Sequence, residues 1–377
     1  MKLRRLRAVA RKEFYHVLRD PRSMAMGIAL PMLMLFVFGF ALTLDVDRVP
    51  LVVWDQSNTP ASREVVAAFT GSRYFALVGE VYDYREVVQE IDAGRTLLAL
   101  VVPRDFARQA GTPGGGRVQL LCDGSDANTA TIAMNYAEAV VEGCAEAMTL
   151  RASWRAGGRT VAAPIESCPR VWYNADMQSK NFIVPGLIAV IMMVIAALLT
   201  SLTVAREWEQ GTMEQLIATP VTPAEVVLGK LTPYFAIGMI DMVLAVVMGE
   251  FLFHVPLRGS LILLFCMSSI YLIGVLSLGI LVSIVTKSQL LASQLAMVLT
   301  LLPSFLLSGF MIPVVNMPAP IQALTKAVPA TYFVTLLRGI YLKGVGPRIL
   351  AGEIVLLTAF AAAMLLLALV KFKKKLT

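Results

Sequence analysis

The sequence is poor in the residues that metal sites and hydrolytic centres need. Its 377 residues include only two histidines, His16 and His254, and four cysteines without a Cys-x-x-Cys spacing. It also has no nucleophile elbow, no paired-carboxylate site and no Ser/His/Asp set. We therefore expect no metal, no cofactor and no catalytic residue. A membrane-embedded enzyme is the weakest alternative, because it would need a catalytic set at one membrane face.

Charge is scarce as well, and long apolar runs take its place. Charged residues make up 16% of the chain and hydrophobic residues 57%, and the mean hydropathy is +0.70. This composition is typical of a polytopic α-helical membrane protein. Apolar stretches of about 20 residues or more are long enough to cross a bilayer. The six predicted transmembrane helices are 24–44, 182–204, 231–253, 259–286, 288–313 and 350–370.

Basic residues near the chain ends predict the orientation of these spans. Lysines and arginines crowd residues 1–23, which also show the apolar spacing of an amphipathic interfacial helix, and the tail 371–377 is lysine-rich. The positive-inside rule puts both termini in the cytoplasm, together with 206–230, and leaves 45–180 outside. Aromatic residues do not alternate with the basic ones. The net charge of +7 therefore indicates contact with membrane lipids, and no nucleic acid is expected.

Residues 45–180 are predicted to form an extracytoplasmic α/β domain between the first two spans. The predicted strands are 49–54, 74–78, 97–102 and 118–122. The predicted helices are 61–69, 84–93 and 128–150. Alternation of strand and helix favours a sheet that is partly parallel. Three cysteines fall in this domain, Cys122, Cys144 and Cys168, and an oxidising compartment permits one disulfide whose pairing stays open.

The segment 206–230, REWEQGTMEQLIATPVTPAEVVLGK, is the most informative part of the chain. It carries too many charged residues to cross a bilayer, and its residue pattern is that of a helix rather than of a simple turn between two spans. The pattern predicts a helix from Thr212, a stop at Pro220 and a new helix start at Thr222, which has the capping-box spacing to Glu225. Such an element at the membrane surface suits docking to a soluble partner. An interfacial helix that only anchors its neighbours is the alternative.

Three ionisable residues form a candidate polar site in the third span and directly after it. Asp241 lies near the middle of the span, where a buried charge costs about 2.5–3.5 kcal/mol on insertion scales. Glu250 and His254 are one helical turn apart near the outer end, so they can share a face. A proton or cation relay is one interpretation. We favour the other, in which a protonated or internally hydrogen-bonded acid steadies the helix bundle.

The stretch 314–348, after the fifth span, is repeatedly interrupted by proline. Pro318, Pro320 and Pro329 leave helical pieces that are too short to cross a bilayer. These pieces are predicted to be short or re-entrant helices at the outer leaflet, where protein or water must cover their ends. This prediction leaves Arg338 on the outside, against the positive-inside trend.

Together these regions resemble the membrane subunit of type-2 ABC exporters. The similarity lies in 206–230, in LSGFMIPVVNMP and VPATYFVTLLRGIYLKG after the fifth span, and in ARKEFYHVLRDPRS near the start. A large domain between spans one and two is similar to the subgroup of multidrug-type efflux permeases. The resemblance implies a permease in the bacterial cytoplasmic (inner) membrane, which forms a homodimer or a paralogous heterodimer with a second permease. Its further expected partners are a separate ABC ATPase subunit and, optionally, a periplasmic adaptor.

The resemblance also implies how the chain works. The sequence has no G-x-x-x-x-G-K-[ST] motif, so ATP hydrolysis is expected from the partner subunit. Residues 206–219 would be the coupling helix that contacts this ATPase. The key coupling positions would be Glu207, Glu209, Gly211, Thr212 and Glu214. The expected function is efflux of a drug-like or amphiphilic substrate, and a non-transporting mechanotransmission or signalling subunit is the alternative.

Overall fold

The protein is described by a computed structural model that covers residues 3–42, 48–110, 112, 115–155, 172–174 and 178–372. The chain divides into two compact units. The membrane unit comprises Met1–Thr43 and Arg170–Thr377, and the α/β unit comprises Leu44–Pro169. Each unit is described by itself.

The membrane unit begins with an amphipathic helix followed by an apolar one. Its elements are α1 (Leu3–Arg19), α2 (Pro21–Met24), a π-helical turn (Ala25–Ala29) and α3 (Leu30–Ala41). Val9, Glu13 and Val17 recur at intervals of four residues on the buried face of α1. The predicted helix in 1–23 is therefore present, and an acid lies in the middle of its apolar stripe.

The α/β unit has the predicted alternation of strands and helices. Its elements are β1 (Val49–Asp55), α4 (Pro60–Thr70), β2 (Phe75–Glu80), α5 (Tyr84–Asp92), β3 (Leu98–Val102), α6 (Phe106–Ala110), β4 (Gln119–Cys122) and α7 (Ala127–Arg155). The strand order is β2-β1-β3-β4. β1 is parallel to β2 and β3, and β4 is antiparallel to β3. The expectation of a partly parallel sheet is confirmed.

Alternating side chains of the central strand fill two apolar layers of the α/β unit. Val49, Leu51 and Val53 of β1 belong to a buried cluster with side chains of α4 and α7. Val52 points to the other face, where it packs with Val87 of α5. Because successive side chains of a strand point to opposite faces, both faces of this strand must be apolar.

The described thiols of the α/β unit are unpaired, with Cys144 buried and Cys122 half-buried. Cys122 and Cys144 are free, as is Cys266 of the membrane unit. Burial raises the pKa of the Cys122 and Cys144 thiols, and the Asp123 charge adds to the effect at Cys122. These thiols are therefore weak nucleophiles at neutral pH. Cys168 lies outside the described residues, so a disulfide that includes it stays a prediction.

The remainder of the membrane unit is helical. It contains α8 (Ser179–Glu209), α9 (Met213–Ala218), α10 (Pro223–Val247), α11 (Leu261–Thr286), α12 (Gln289–Leu302), α13 (Ala319–Thr325), α14 (Pro329–Arg338) and α15 (Ala351–Lys371). π-Helical turns extend three of these helices, at Met248–Leu252 after α10, Pro303–Leu307 after α12 and Gly339–Lys343 after α14, and a 3-10 turn spans Val314–Asn316. The short helices expected in 314–348 are present.

Five helices among the described residues are long and apolar enough to cross a membrane. They are Ser179–Glu209, Pro223–Leu252, Leu261–Thr286, Gln289–Leu307 and Ala351–Lys371. The predicted first span corresponds to a shorter apolar helix, Ala25–Ala41. A multi-pass membrane protein is therefore confirmed, whereas the sixth crossing stays a prediction.

The helix α8 lies at the centre of the membrane unit and is buried along almost its whole length. A Cβ on Gly279 of α11 would lie 2.5 Å from the Ala197 carbonyl oxygen, so only glycine allows this close approach. Ser283 of α11 accepts hydrogen bonds from the backbone N–H groups of Val204 and Ala205, at 3.0 and 2.8 Å. The end of α8 that leads into 206–230 is thus fastened to α11.

Candidate functional site

The segment 206–230 contains the last turn of α8, the short helix α9 and the first turns of α10, and the chain changes direction sharply on each side of α9. Gly211 has a φ of +70°, a left-handed conformation that ends α8 and leads into α9. Thr219 is extended and ends α9. Thr222 then starts α10 by accepting the N–H of Glu225, whose carboxylate accepts the N–H of Thr222 at 2.9 Å. The predicted capping box is confirmed.

A buried cluster of ion pairs joins this segment to α1. Lys230 is 1% exposed, and its Nζ lies 3.0 Å from Glu13 Oε1 and 3.0 Å from Glu207 Oε2. The Lys12 ammonium donates to Glu207 Oε1 at 2.9 Å. We call these four residues the charge cluster. It contains two cations and two anions, so its formal charge is balanced, which a buried ionic group requires.

Lys12 forms the exposed edge of the charge cluster. Partial burial disfavours its charged form, but the hydrogen bond and charge of Glu207, with a smaller contribution from Glu13, raise the pKa of the Lys12 ammonium above its usual value. The cation is therefore retained throughout the physiological pH range.

Two further groups of contacts hold α1 against the segment. Arg206 Nη1 lies 3.3 Å from Asp20 Oδ2 and 3.1 Å from His16 Nε2, beside the start of the segment. Arg5 donates to the carbonyl of Pro220, on the far side of α9. The helix α1 therefore contacts the end of α8 and the turn between α9 and α10, so it is tied to the chain before and after α9.

Glu209 links the segment to the next pair of helices. Its Oε1 accepts the backbone N–H of Gln289 at 2.8 Å, and its other oxygen accepts from the Gln289 side chain. Gln289 is the first residue of α12, so the carboxylate caps the positive end of that helix. The ammonium of Lys287 lies 4.6 Å from the ring centre of Trp208 and adds a cation–π contact.

The five predicted coupling residues therefore divide into two groups. Glu207 is buried and pairs with α1 and α10, whereas Glu209 is exposed but is held by its hydrogen bonds to the start of α12. Gly211, Thr212 and Glu214 are exposed, and Glu214 forms no ion pair with any residue that the structure describes. Met213, at 1% exposure, packs inward and anchors α9. The exposed part of the segment therefore includes the outer side of α9 and its preceding turn.

The sequence analysis did not identify Glu13 and Lys230 as members of this site. One signal was available, because Glu13 interrupts the apolar stripe of α1 between Val9 and Val17. An acid in that position needs a cationic partner from another element. That partner, Lys230, lies 217 positions away in the sequence.

A cavity of about 990 Å³ lies beside the charge cluster, between α1, α8 and α9. Its wall includes the charged groups of Lys12, Glu207 and Arg206, whereas Leu199 and Leu202 line an apolar part. Cavities of roughly 300–1,000 Å³ with a mostly apolar lining and a few polar groups are typical of small-molecule sites. The volume of this space falls in that range, but polar and charged residues make up more than half of its lining.

A second cluster of contacts lies at the other end of α8. Arg338 of α14 donates to the backbone carbonyls of Phe182, Gly309 and Phe310, at 3.3, 2.9 and 3.1 Å. Its guanidinium also stacks over the Phe182 ring at 3.4 Å. The arginine that runs against the charge trend is therefore a structural anchor, which ties α14 to α8 and to the chain after α12.

The three ionisable residues of the third span do not form one site. Asp241 is buried inside the bundle, whereas Glu250 and His254 are exposed. The expectation that Glu250 and His254 share a helical face is wrong. The π-helical turn ends at Leu252, and His254 has a left-handed φ of 56°, so regular helical spacing is lost between the two residues.

Comparison with known proteins gives one consistent family. The profile of a family described as ABC-2 family transporter protein matches residues 21–370. The chain is 37% identical over 375 residues to the Escherichia coli K12 protein named "Probable multidrug ABC transporter permease YbhS", with 99% of this chain and 98% of the relative covered.

Two further relatives from the same organism are more distant. The chain is 32% identical over 339 residues to "Probable multidrug ABC transporter permease YbhR", with 90% of each chain covered. It is 27% identical over 331 residues to "Inner membrane transport permease YhhJ", with 86% of this chain and 85% of the relative covered. All three similarities extend over most of the chain.

Proposed function

This chain belongs to the ABC-2 family of transporter proteins, and from that membership we propose that its 206–230 segment receives the force of ATP hydrolysis from a separate subunit. The chain is a permease subunit of an ABC exporter. Its sequence has no G-x-x-x-x-G-K-[ST] motif, so the nucleotide binds elsewhere in the assembly. A permease of this family associates with an ABC ATPase and with a second permease, which in our proposal is either another copy or a paralogue.

The proposed topology has six spans. Helix Ala25–Ala41 is the first, and the five longer helices are the others. Both termini and the 206–230 segment lie in the cytoplasm of a bacterial cell, and the α/β unit lies outside the inner membrane. The basic residues of 1–23 support this orientation, because positive charge favours the cytoplasmic side. A periplasmic adaptor would then meet the α/β unit.

One observation carries the proposal for coupling. The exposed side of α9, with Glu214, directly follows the anchored residues Glu207 and Glu209 at the end of α8. A displacement of α9 by the ATPase would therefore be transmitted to α1 and α10 through the charge cluster, and to α12 through the Glu209 cap. Packed helices transmit such motion as rigid bodies rather than by bending.

The proposed substrate is a drug-like or amphiphilic molecule. Two relatives carry the word multidrug in their names. The cavity of about 990 Å³ supports the same class, because it combines an apolar part with a charged wall close to the inner end of the spans. An amphiphile that partitions into the cytoplasmic leaflet would reach it with its polar group at the charged wall.

The proposal is tested by replacing the exposed acid of α9. We expect Glu214→Ala to weaken binding to the ATPase about tenfold or more, because an acid paired with a cation at a protein interface typically contributes about 2–5 kcal/mol when truncated. ABC ATPase subunits of the same genome would be co-expressed with the tagged permease. Affinity, ATP hydrolysis and export of fluorescent amphiphiles would then be measured.

A matched variant controls for the general loss of a surface carboxylate. Glu146→Ala removes an exposed acid on α7 of the α/β unit and should leave ATPase binding and export unchanged. If Glu214→Ala also binds the ATPase and exports normally, the 206–230 segment only anchors its neighbours. Measured movement of a substrate would separate an exporter from a subunit that only signals.

A further inference from the structure

One side of α1 is covered by the rest of the membrane unit and the other is not. Val9, Glu13 and Val17 lie on the covered side. This side packs closely on α10, because a Cβ on Gly229 would lie 2.7 Å from a methyl carbon of Val9. We give the name outer face to six exposed residues on the other side: Leu3, Arg4, Arg7, Arg11, Phe14 and Leu18. The apolar side chains of α1 are thus divided between the protein interior and an exposed surface.

The residues of the outer face lie in line along the helix. Intervals of four, three and four residues, which are the spacing of one helical face, separate Arg7, Arg11, Phe14 and Leu18. The apolar members are well exposed, with Leu3 at 78%, Phe14 at 46% and Leu18 at 51%. Arginine and apolar side chains therefore share a single surface that the membrane unit leaves uncovered.

The positive charge of the outer face is not balanced within the described part of the chain. Arg4, Arg7 and Arg11 form no ion pair with any described residue. The Arg11 guanidinium lies 5.5 Å from the ring centre of Tyr15, which is a neutral partner. Glu13 is the single acid of α1, and its carboxylate is bound inside the charge cluster. A surface with three guanidinium groups and no acid attracts an anionic partner.

The position of α1 in the chain places it at a membrane surface. Residues 20–24 alone separate its end from the apolar helix Ala25–Ala41. A chain of this length reaches roughly 20 Å at most, so α1 ends close to the level at which that helix enters the bilayer. Helices that lie on anionic membranes combine basic residues with Phe and Leu in this way. An acidic protein surface would match the arginines but would leave Phe14 and Leu18 without an apolar partner.

From these observations we infer that the outer face of α1 binds anionic phospholipids of the cytoplasmic leaflet. The inference rests on the proposed topology, which places α1 in the cytoplasm. The three guanidinium groups bind the headgroup phosphates, and the apolar side chains between them contact the upper part of the acyl chains. Because Arg5 and Lys12 tie α1 to the 206–230 segment, the bound lipid also holds that segment at the membrane surface.

Binding of a labelled lipid to the full-length permease in detergent tests the arginines. The probe is a fluorescent phosphatidylglycerol, and phosphatidylcholine with the same label is the zwitterionic reference. Replacing Arg4, Arg7 and Arg11 together by glutamine should lower the affinity for phosphatidylglycerol tenfold or more, because each basic residue near anionic lipid contributes about fivefold. The affinity for phosphatidylcholine should change little. Glutamine is a good helix former, so α1 should stay folded, and an unchanged melting temperature would verify this.

The matched control removes three exposed arginines of the α/β unit. The combined Arg63→Gln, Arg85→Gln and Arg104→Gln protein should bind phosphatidylglycerol like the parent. The inference is overturned if the outer-face variant also binds like the parent. It is equally wrong if that variant keeps its lipid affinity and loses binding to the ATPase, because the outer face would then be a protein-binding surface. The lipid assay requires neither an ATPase nor a transported substrate, so its failure is separable from failure of the transport assignment.

A spin label tests the apolar part of the outer face. Phe14→Cys, in a chain without native cysteines, would carry a nitroxide in nanodiscs that contain phosphatidylglycerol. Its collisions with oxygen, which is concentrated among acyl chains, should exceed those with a water-soluble nickel complex. The same label on Glu146→Cys, at an exposed position of α7, should show the reverse. A label at position 14 that meets the nickel complex more often than oxygen would show that the outer face lies in water and would refute the inference.

Discussion

Lys230 is the central residue of the charge cluster, because its ammonium lies within 3.0 Å of carboxylates from both α1 and α8. Replacement by methionine keeps the length of the side chain but leaves Glu13 and Glu207 with one cation fewer. Removing one partner of a buried ion pair typically costs about 3–5 kcal/mol. We therefore expect Lys230→Met to lower the yield and the melting temperature of the purified permease strongly.

Lys12 provides the matched control for that change. Its side chain is 57% exposed, so water replaces the lost partner, and pairs of this kind contribute about 0–1 kcal/mol. Lys12→Met should therefore melt close to the parent. If the two variants have the same melting temperature, burial does not determine how much each lysine of the charge cluster contributes to stability.

Combining Lys230→Met with Glu207→Gln should recover part of the stability lost in Lys230→Met, because the remaining Lys12 and Glu13 balance each other in charge.

At the residue scale, sequence reasoning succeeded where partners are close in the chain. Thr222 and Glu225 are three positions apart, and their capping box follows from spacing alone. The roles of Glu207 and Glu209 did not follow, because their partners, Lys230 and Gln289, come from other helices. Both acids carry the same charge in the same motif, so only the fold shows that Glu207 is buried in an ion-pair cluster while Glu209 caps α12 from an exposed position.

Among the elements, α9 depends on a single backbone conformation. Gly211 has a φ of +70°, and a side chain there costs about 1–2 kcal/mol in the left-handed region. No atom would block a Cβ at this position, so the effect of a substitution is conformational rather than steric. Gly211→Ala should therefore tilt or fray α9 and reduce the ratio of substrate exported to ATP hydrolysed.

Gly352 of α15 is the control for this glycine. A Cβ there also meets no atom, but the backbone is helical, so Gly352→Ala should be neutral or slightly stabilising. Export and ATP hydrolysis would be measured on the same preparations. An unchanged ratio in Gly211→Ala would show that the angle of α9 does not matter for coupling.

Element types were more predictable than element ends. The apolar runs of β1 and β3 are local signals, and both strands formed where expected. The fifth span ended at Leu307 instead of residue 313, since the π-helical turn from Pro303 and the left-handed Gly309 terminate it. A hydropathy pattern does not distinguish a π-helical turn from an α-helical one. For the same reason the sequence analysis wrongly placed Glu250 and His254 on one helical face.

For the whole molecule, the proposed topology makes a labelling prediction. Single cysteines at Ser125 and Thr212, both exposed positions, would be introduced into a chain without native cysteines. An impermeant maleimide applied to intact spheroplasts should label the cysteine at position 125 and should not label the one at 212. Opening the inner membrane should make position 212 reactive. Equal labelling in intact spheroplasts would contradict a six-span chain with the α/β unit outside.

The division into two units was visible in composition, because long apolar runs flank a stretch in which short strands and helices alternate. The sequence did not show which helices pack against each other in the membrane unit. The central position of α8 depends on close approaches such as Gly279 against Ala197 and on the bonds to Ser283. Small residues and serines occur throughout apolar helices, so their pattern does not identify which of them form contacts.

The anchoring of Arg338 has a consequence for how sequences of this family can vary. Its described hydrogen bonds end on backbone carbonyls, at Phe182, Gly309 and Phe310, which any residue supplies. These hydrogen bonds can therefore persist while the side chains at the three accepting positions change, and only the stacking on the Phe182 ring depends on a neighbouring side chain. Methods that infer contacts from correlated substitutions would detect no hydrogen-bonding partner for this residue, although it joins three segments of the chain.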